Sequence, residues 1–193
     1  MPYSSATGLR IYYEAYGDGP AMLLIHANPF NHNLWLYQIA RFSARFRVIA
    51  PDIRNYGRSD RAARPFSLDD MADDMRGVLA AERVASAIIA GISVGSAIAM
   101  AIGLDHPEAA NALILVGGAS ARPASYDVRI AAYESGDLTR YQRRHIEECF
   151  APGFAGTRLG GYLADLFAEW APRLDLHLFP VRRRLVDRRG SGG

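Results

Sequence analysis

Residues 88–95 hold the feature that most constrains this chain. An apolar run, Ile-Ile-Ala, leads into the pattern Gly-x-Ser-x-Gly, and small apolar residues at helical spacing follow it directly. The apolar run predicts a buried strand and the segment after it predicts a helix. A serine in a sharp strand-to-helix turn projects its hydroxyl away from the backbone, and flanking glycines relieve the crowding there. The pattern therefore predicts Ser93 as a nucleophile at the carboxyl edge of a sheet.

Short apolar runs and helical patterns alternate along the first part of the chain. Strands are predicted at residues 10–16, 21–26, 46–50, 87–92 and 112–116, and helices at 34–44, 67–82 and 94–105. Ser67 and Asp70 have the spacing of a capping box, which predicts that the second helix begins there. This alternation predicts an α/β fold with a mostly parallel sheet and flanking helices.

The pattern changes after residue 120, where the buried-strand runs stop and helices are predicted for 126–150, 157–170 and 172–187. We therefore expect an α/β core over residues 1–120, a helical lid over 121–187 and a disordered tail over 188–193. With no strand predicted beyond it, the run at 112–116 is expected at an open edge of the sheet. An exposed apolar edge would favour self-association.

Composition excludes several classes of function. The chain has 193 residues, 22% of them charged, and the formal net charge of +2 comes from arginines after residue 181. The rest has no basic surplus, so nucleic-acid binding has no support. There is no lysine for Schiff-base chemistry. A single cysteine fits a reducing compartment, and no signal peptide or membrane span is evident. We expect a soluble cytoplasmic protein without a membrane partner.

Two further segments predict parts of a site. His26-Ala27-Asn28-Pro29-Phe30 follows the strand at 21–26, and the next N–H after Ser93 belongs to Val94 at a helix N-terminus. The N–H groups of Asn28 and Val94 can together stabilise an oxyanion. We expect His26 to support this loop through hydrogen bonds. Residues 51–60 are dense in polar and turn residues and predict either a loop that shapes the site or a solvated connection.

These elements, in this order, resemble the α/β-hydrolase superfamily, and the matching segments are 23–30, Trp35, 47–60, 91–95 and 106–108. The chain is most similar to the esterase and lactonase group that includes enol-lactone hydrolases. The resemblance implies that Ser93 attacks a small acyl substrate, an ester or lactone, to form an acyl-enzyme. It implies an oxyanion hole of Asn28 and Val94, and neither cofactor nor metal. The family's loop normally reads His-Gly, whereas this chain has Ala27.

The same family orders its triad as nucleophile, acid and histidine, and no acid or histidine is identified for this chain. His106 lies about 20 Å along the helix from Ser93, and His145 and His177 fall in the predicted lid, where we expect surface positions. We therefore expect a C-terminally truncated family member. The alternatives are an inactive fragment or binding module, and an acyltransferase or carbon–carbon bond hydrolase on the same fold.

Overall fold

The computed structural model describes residues 3–118 and 145–170, and the structural statements below concern those residues. The strands are β1 (Tyr3–Ser4), β2 (Ile11–Tyr16), β3 (Ala21–Ile25), β4 (Arg47–Pro51), β5 (Ala87–Ile92) and β6 (Ala110–Val116). The α-helices are α1 (Leu36–Phe42), α2 (Leu68–Ala81), α3 (Val94–Asp105) and α4 (Arg158–Trp170). Short 3₁₀ turns lie at His32–Trp35, Pro107–Ala109 and Phe154–Gly156.

The six strands form one sheet in the order β1-β2-β4-β3-β5-β6. β3 runs parallel to both β4 and β5, and β5 runs parallel to β6. β1 and β2 are the antiparallel part. The predicted α/β fold with a mostly parallel sheet is confirmed. The sequence does not predict β1, because a two-residue strand leaves no recognisable pattern.

The central strands are apolar throughout because both faces of the sheet are covered. On one face, Leu23 and Ile25 of β3 pack with residues of α2 and α3. On the other face, Met22 and Leu24 pack with Trp35. This two-sided burial explains why the strand at 21–26 reads as a continuous apolar run and not as an alternating one.

Helix α2 begins where the capping box predicts. Asp70 donates its backbone N–H to Ser67 Oγ at 3.1 Å, and Ser67 donates its own N–H to Asp70 Oδ2 at 2.6 Å. Two of the N–H groups that a helix N-terminus leaves without partners are thereby satisfied. The start of α2 is therefore fixed by local chemistry.

Strand β6 lies at the edge of the sheet, and Leu113, Ile114, Leu115 and Val116 are each 39–46% exposed. Within the described residues, β6 pairs only with β5.

Residues 145–148 and α4 pack over the loop that follows β3. There Ile146 and Ala164 cluster with Ala27 and Phe30. The predicted lid helix at 172–187 and the predicted tail at 188–193 lie outside the described residues. No helix of the described part is long and apolar enough to cross a bilayer.

Candidate active site

Ser93 forms the turn between β5 and α3 in a backbone conformation that non-glycine residues rarely adopt. Its φ is 56° and its ψ is −115°. Such a conformation costs on the order of 1–3 kcal/mol and persists only where the surrounding structure enforces it. One enforcing contact is the Ser93 N–H, which donates to the Val116 carbonyl at 2.9 Å. The turn is the strained elbow that the Gly-x-Ser-x-Gly pattern predicts.

The glycines on either side of Ser93 are required by space. A Cβ on Gly91 would lie 2.1 Å from the Gly95 carbonyl oxygen. A Cβ on Gly95 would lie 2.3 Å from the Ile25 carbonyl oxygen and 2.7 Å from that of His26. The first turn of α3 therefore lies directly against the end of β3. This close approach brings the loop after β3 next to the serine turn.

The two predicted oxyanion donors belong to segments that this approach brings together. Val94 is the first residue of α3, and the first N–H groups of a helix have no partner inside it and lie at the positive end of the helix dipole. Asn28 follows His26 by two residues and is half-buried, and its Oδ1 accepts a hydrogen bond from the Tyr56 hydroxyl at 3.2 Å. The joint action of both N–H groups stays a prediction.

Ala27, where the family has glycine, has no positive φ in this chain. Its methyl group is buried with Phe30 and Ile146 under the helical segments. The loop therefore accommodates the alanine without a positive φ, and the methyl adds to the apolar contact between the loop and the helical segments over it.

His26 is fully buried and both of its ring nitrogens are engaged. Nε2 accepts the Ile53 N–H at 3.0 Å, so Nδ1 carries the proton and donates it to the Ala27 carbonyl at 2.9 Å. Burial lowers the pKa of His26 to about 4. The ring is thus neutral at pH 7 and joins the loop after β3 to the loop after β4. These bonds are those expected of a loop-supporting histidine, and they leave His26 unable to take a proton from Ser93.

The loop at 51–60 is buried at most of its positions, so the alternative of a solvated connection is wrong for those residues. Asp52 accepts from the N–H and Nδ1 of His32 at 2.8 and 2.7 Å, and from the Arg58 N–H at 2.8 Å. Burial acts to raise the pKa of Asp52, but the hydrogen bonds from His32 and Arg58 hold it below its ordinary value. Gly57 is obligatory because a Cβ there would lie 2.1 Å from Asp52 Oδ2.

A buried ion pair fastens this loop to α2. Arg54 Nε donates to Asp74 Oδ2 at 2.6 Å, and Arg54 Nη2 donates to the Asp70 carbonyl at 2.8 Å. The guanidinium also lies 5.2 Å from the centre of the Phe66 ring. Sequence reasoning does not single out Asp74, although its position on the apolar stripe between Met71 and Val78 is a signal that it faces inward.

Among the described residues, no histidine is hydrogen-bonded to Ser93, and Ser93 Oγ makes no side-chain hydrogen bond. His106 lies at the C-terminal end of α3, and its Nδ1 is 3.6 Å from Glu108 Oε1. His145 precedes Ile146 in the helical segment over the loop after β3 and is half-buried. Its expected surface position stays a prediction. His177 lies outside the described residues. The described part of the chain therefore assembles the elbow and the loop beside it, and within that part no acid or histidine is hydrogen-bonded to Ser93.

The family model for the alpha/beta hydrolase fold matches residues 20–181, most of the chain. The chain belongs to the α/β-hydrolase family. This confirms the resemblance drawn from residues 23–30, 47–60 and 91–95.

The chain is similar to a curated relative and to two solved structures. AB hydrolase superfamily protein YisY of Bacillus subtilis is 37% identical over 114 residues, which are 58% of this chain and 42% of YisY. The structure of Est816, an N-acyl homoserine lactone degrading enzyme, matches with a TM-score of 0.75 at 27% identity, over 87% of this chain and 64% of Est816.

The enol-lactonase of Burkholderia xenovorans LB400 matches with a TM-score of 0.82 at 19% identity, over 90% of this chain and 68% of the lactonase, which shows a shared fold. The chain spans less than half the length of the curated relative YisY.

Proposed function

We propose that Ser93 is the nucleophile of a hydrolase that cleaves carboxylic esters or lactones through an acyl-enzyme. The observation that carries the proposal is the strained elbow, in which a positive φ at Ser93 and two glycines without room for a side chain hold one hydroxyl at a helix N-terminus. Strain of this kind is retained where function needs it. The likeness to Est816, itself named as lactone-degrading, supports the substrate class.

In the proposed reaction, Ser93 Oγ attacks the carbonyl carbon of the substrate while a base removes its proton. The carbonyl oxygen becomes an oxyanion, which the N–H groups of Val94 and Asn28 stabilise. One such donor contributes about 3 kcal/mol to lowering the barrier. The bond from the carbonyl carbon to the alcohol oxygen then breaks, and the protonated base gives its proton to that oxygen, which in a lactone stays attached to the acyl chain. Water, deprotonated by the same base, attacks the acyl group on Ser93, and the bond to Ser93 Oγ breaks to release the acid and restore the serine.

Three of the described histidines are placed so that they do not serve as this base. The ring nitrogens of His26 are engaged by Ile53 and Ala27. In His32, Nδ1 is engaged by Asp52 and Nε2 lies 3.5 Å from Glu14 Oε1. His106 lies at the other end of α3, about 20 Å from Ser93.

The assay below tests His145, which lies in the helical segment over the loop after β3. Residues outside the described part are the other candidates for the base.

Hydrolysis of short-chain p-nitrophenyl esters by the purified chain tests the proposal. Ser93→Ala should reduce turnover to the residual rate that binding and the oxyanion hole supply, whereas Ser86→Ala, a matched change in the loop before β5, should leave it unchanged. His145→Ala, assayed beside them, reports whether the lid histidine is the base. Equal rates for the unmodified chain and Ser93→Ala would contradict the proposal.

A second candidate is a non-catalytic member of the family that binds an acyl compound. It is favoured by one observation, the absence of any side-chain hydrogen bond to Ser93 Oγ within the described residues. When one member of a triad is missing, only residual activity from binding and the oxyanion hole remains. Saturable binding of a short-chain ester by both the unmodified chain and Ser93→Ala, without turnover by either, would support this candidate.

A further inference from the structure

Ser96 is a second serine, three residues beyond Ser93, to which the proposed reaction gives no role. It lies in the first turn of α3 and is fully buried. Its Oγ lies 2.7 Å from the Gly91 carbonyl oxygen and 2.9 Å from that of Val116, and it accepts the Val116 N–H at 3.1 Å. One hydroxyl therefore meets three backbone groups where β5 and β6 end.

The hydroxyl can donate only one of these hydrogen bonds. The hydroxyl has a single proton, and the Val116 carbonyl already accepts the N–H of Ser93 at 2.9 Å. We assign the Ser96 proton to the Gly91 carbonyl because that contact, at 2.7 Å, is the shorter of the two, and the oxygen accepts from the Val116 N–H. In this arrangement the hydroxyl bridges β5 and β6 at the last step of their ladder and satisfies a donor and an acceptor at once.

The same hydroxyl is enclosed from the side of β6. A Cβ on Gly118 would lie 2.7 Å from Ser96 Cβ and 3.2 Å from its Oγ, so the backbone after β6 closes directly on this side chain. The bridge is therefore held in one position by packing as well as by its hydrogen bonds. Both of these strands also hold the elbow. β5 leads directly into it from Gly91, and β6 accepts the Ser93 N–H at the Val116 carbonyl.

We propose that Ser96 is a positioning residue that keeps the Ser93 elbow in its strained conformation. The proposal rests on the nucleophile role proposed for Ser93. Without the Ser96 hydroxyl, the Gly91 carbonyl and the Val116 N–H lose their shared partner, and the strand ends are free to part. The φ of Ser93 then relaxes, and both its hydroxyl and the Val94 N–H leave their positions at the start of α3.

A thiol at the nucleophile position reports this geometry without any need for ester turnover. The parent variant combines Ser93→Cys with Cys149→Ser, which removes the chain's only natural cysteine. A thiol at a helix N-terminus has a lowered pKa and reacts quickly as the thiolate. The rate of alkylation by iodoacetamide, measured across pH, gives both the reactivity and the apparent pKa of the introduced thiol.

Adding Ser96→Ala to the parent should raise that apparent pKa by about one unit and slow alkylation at pH 7 about tenfold. Adding Ser96→Thr, which keeps the hydroxyl, should restore most of the rate. The matched control is Ala101→Gly, which weakens the same helix at a buried position without touching the bridge. The proposal is overturned if Ser96→Ala reacts like its parent, or if Ala101→Gly slows alkylation equally.

If Ser96→Ala does not fold, hydrogen exchange in the unmodified chain decides the question. The Val116 amide, whose bond goes to Ser96 Oγ, should exchange as slowly as the amides inside β5. Exchange at the rate of an exposed amide would overturn the proposal. Failure of the proposed function is a separate result, because a chain that hydrolyses no ester can still show the loss of thiol reactivity in Ser96→Ala.

Discussion

Replacing Gly95 with alanine should strongly destabilise the protein, because the new methyl group has no space. The Cβ would lie 2.3 Å from the Ile25 carbonyl oxygen and 2.7 Å from the His26 carbonyl oxygen. Unstrained contacts between heavy atoms are about 3.5 Å, so the helix or the strand end must move by about 1 Å. Both obstacles are backbone atoms at the end of a central strand, and they cannot rotate away as a side chain would.

Overpacking of a well-packed interior costs about 1–3 kcal/mol, and we expect the upper part of that range here. For a chain of this size, about 3 kcal/mol corresponds to a fall in Tm of roughly 6–12 °C. Thermal and urea unfolding followed by circular dichroism measure both quantities.

Gly156→Ala is the matched control, because a Cβ there meets nothing within 4 Å and the residue has no positive φ. It should leave the free energy of unfolding unchanged or raise it by about 0.4–1 kcal/mol, because alanine lowers the conformational entropy of the unfolded chain. The reasoning is refuted if Gly95→Ala melts within experimental error of Gly156→Ala. That result would mean that the first turn of α3 does not lie against the end of β3.

Two further predictions concern the buried polar groups beside the site. Asp74→Asn should lower the free energy of unfolding, measured in urea, by about 3–5 kcal/mol, because it leaves Arg54 charged and buried. Arg54→Met combined with Asp74→Leu should recover most of that loss. A double variant as unstable as Asp74→Asn would refute this. The free energy of unfolding should fall by about 3 kcal/mol as the pH is lowered from about 6.5 to 4. Over that range His26 binds a proton in the unfolded chain but not in the folded one, where burial lowers its pKa to about 4. His26→Gln should flatten that slope, and equal slopes in both proteins would count against it.

Much of the fold can be predicted from the sequence because its central strands are covered on both faces. The runs that become β3 and β5 are apolar throughout and flanked by turn or cap residues, so their positions follow from the local sequence pattern. The elbow can be predicted for a similar reason, since steric demand and chemistry coincide within the five residues from Gly91 to Gly95. The two-residue strand β1 and the antiparallel pairing of β2 follow from tertiary contacts and leave no local trace.

The polar network around the site could not be predicted, because its partners are far apart in the chain. Asp52 and Arg54 meet partners twenty residues away, at His32 and Asp74. A list of polar residues at 51–60 is compatible both with a solvated loop and with a closed one, and only the fold decides between them. The role of Ser96 is hidden for the same reason, since its hydroxyl acts on β6.

The most direct test of the central claim is to trap the acyl group on Ser93. The chain is mixed with p-nitrophenyl acetate, quenched in acid and digested, and the peptides are analysed by mass spectrometry. The account predicts the mass of one acetyl group on the peptide that contains Ser93, and its loss in Ser93→Ala but not in Ser86→Ala. An unmodified Ser93 peptide, or acetylation that persists at the same level in Ser93→Ala, would contradict it.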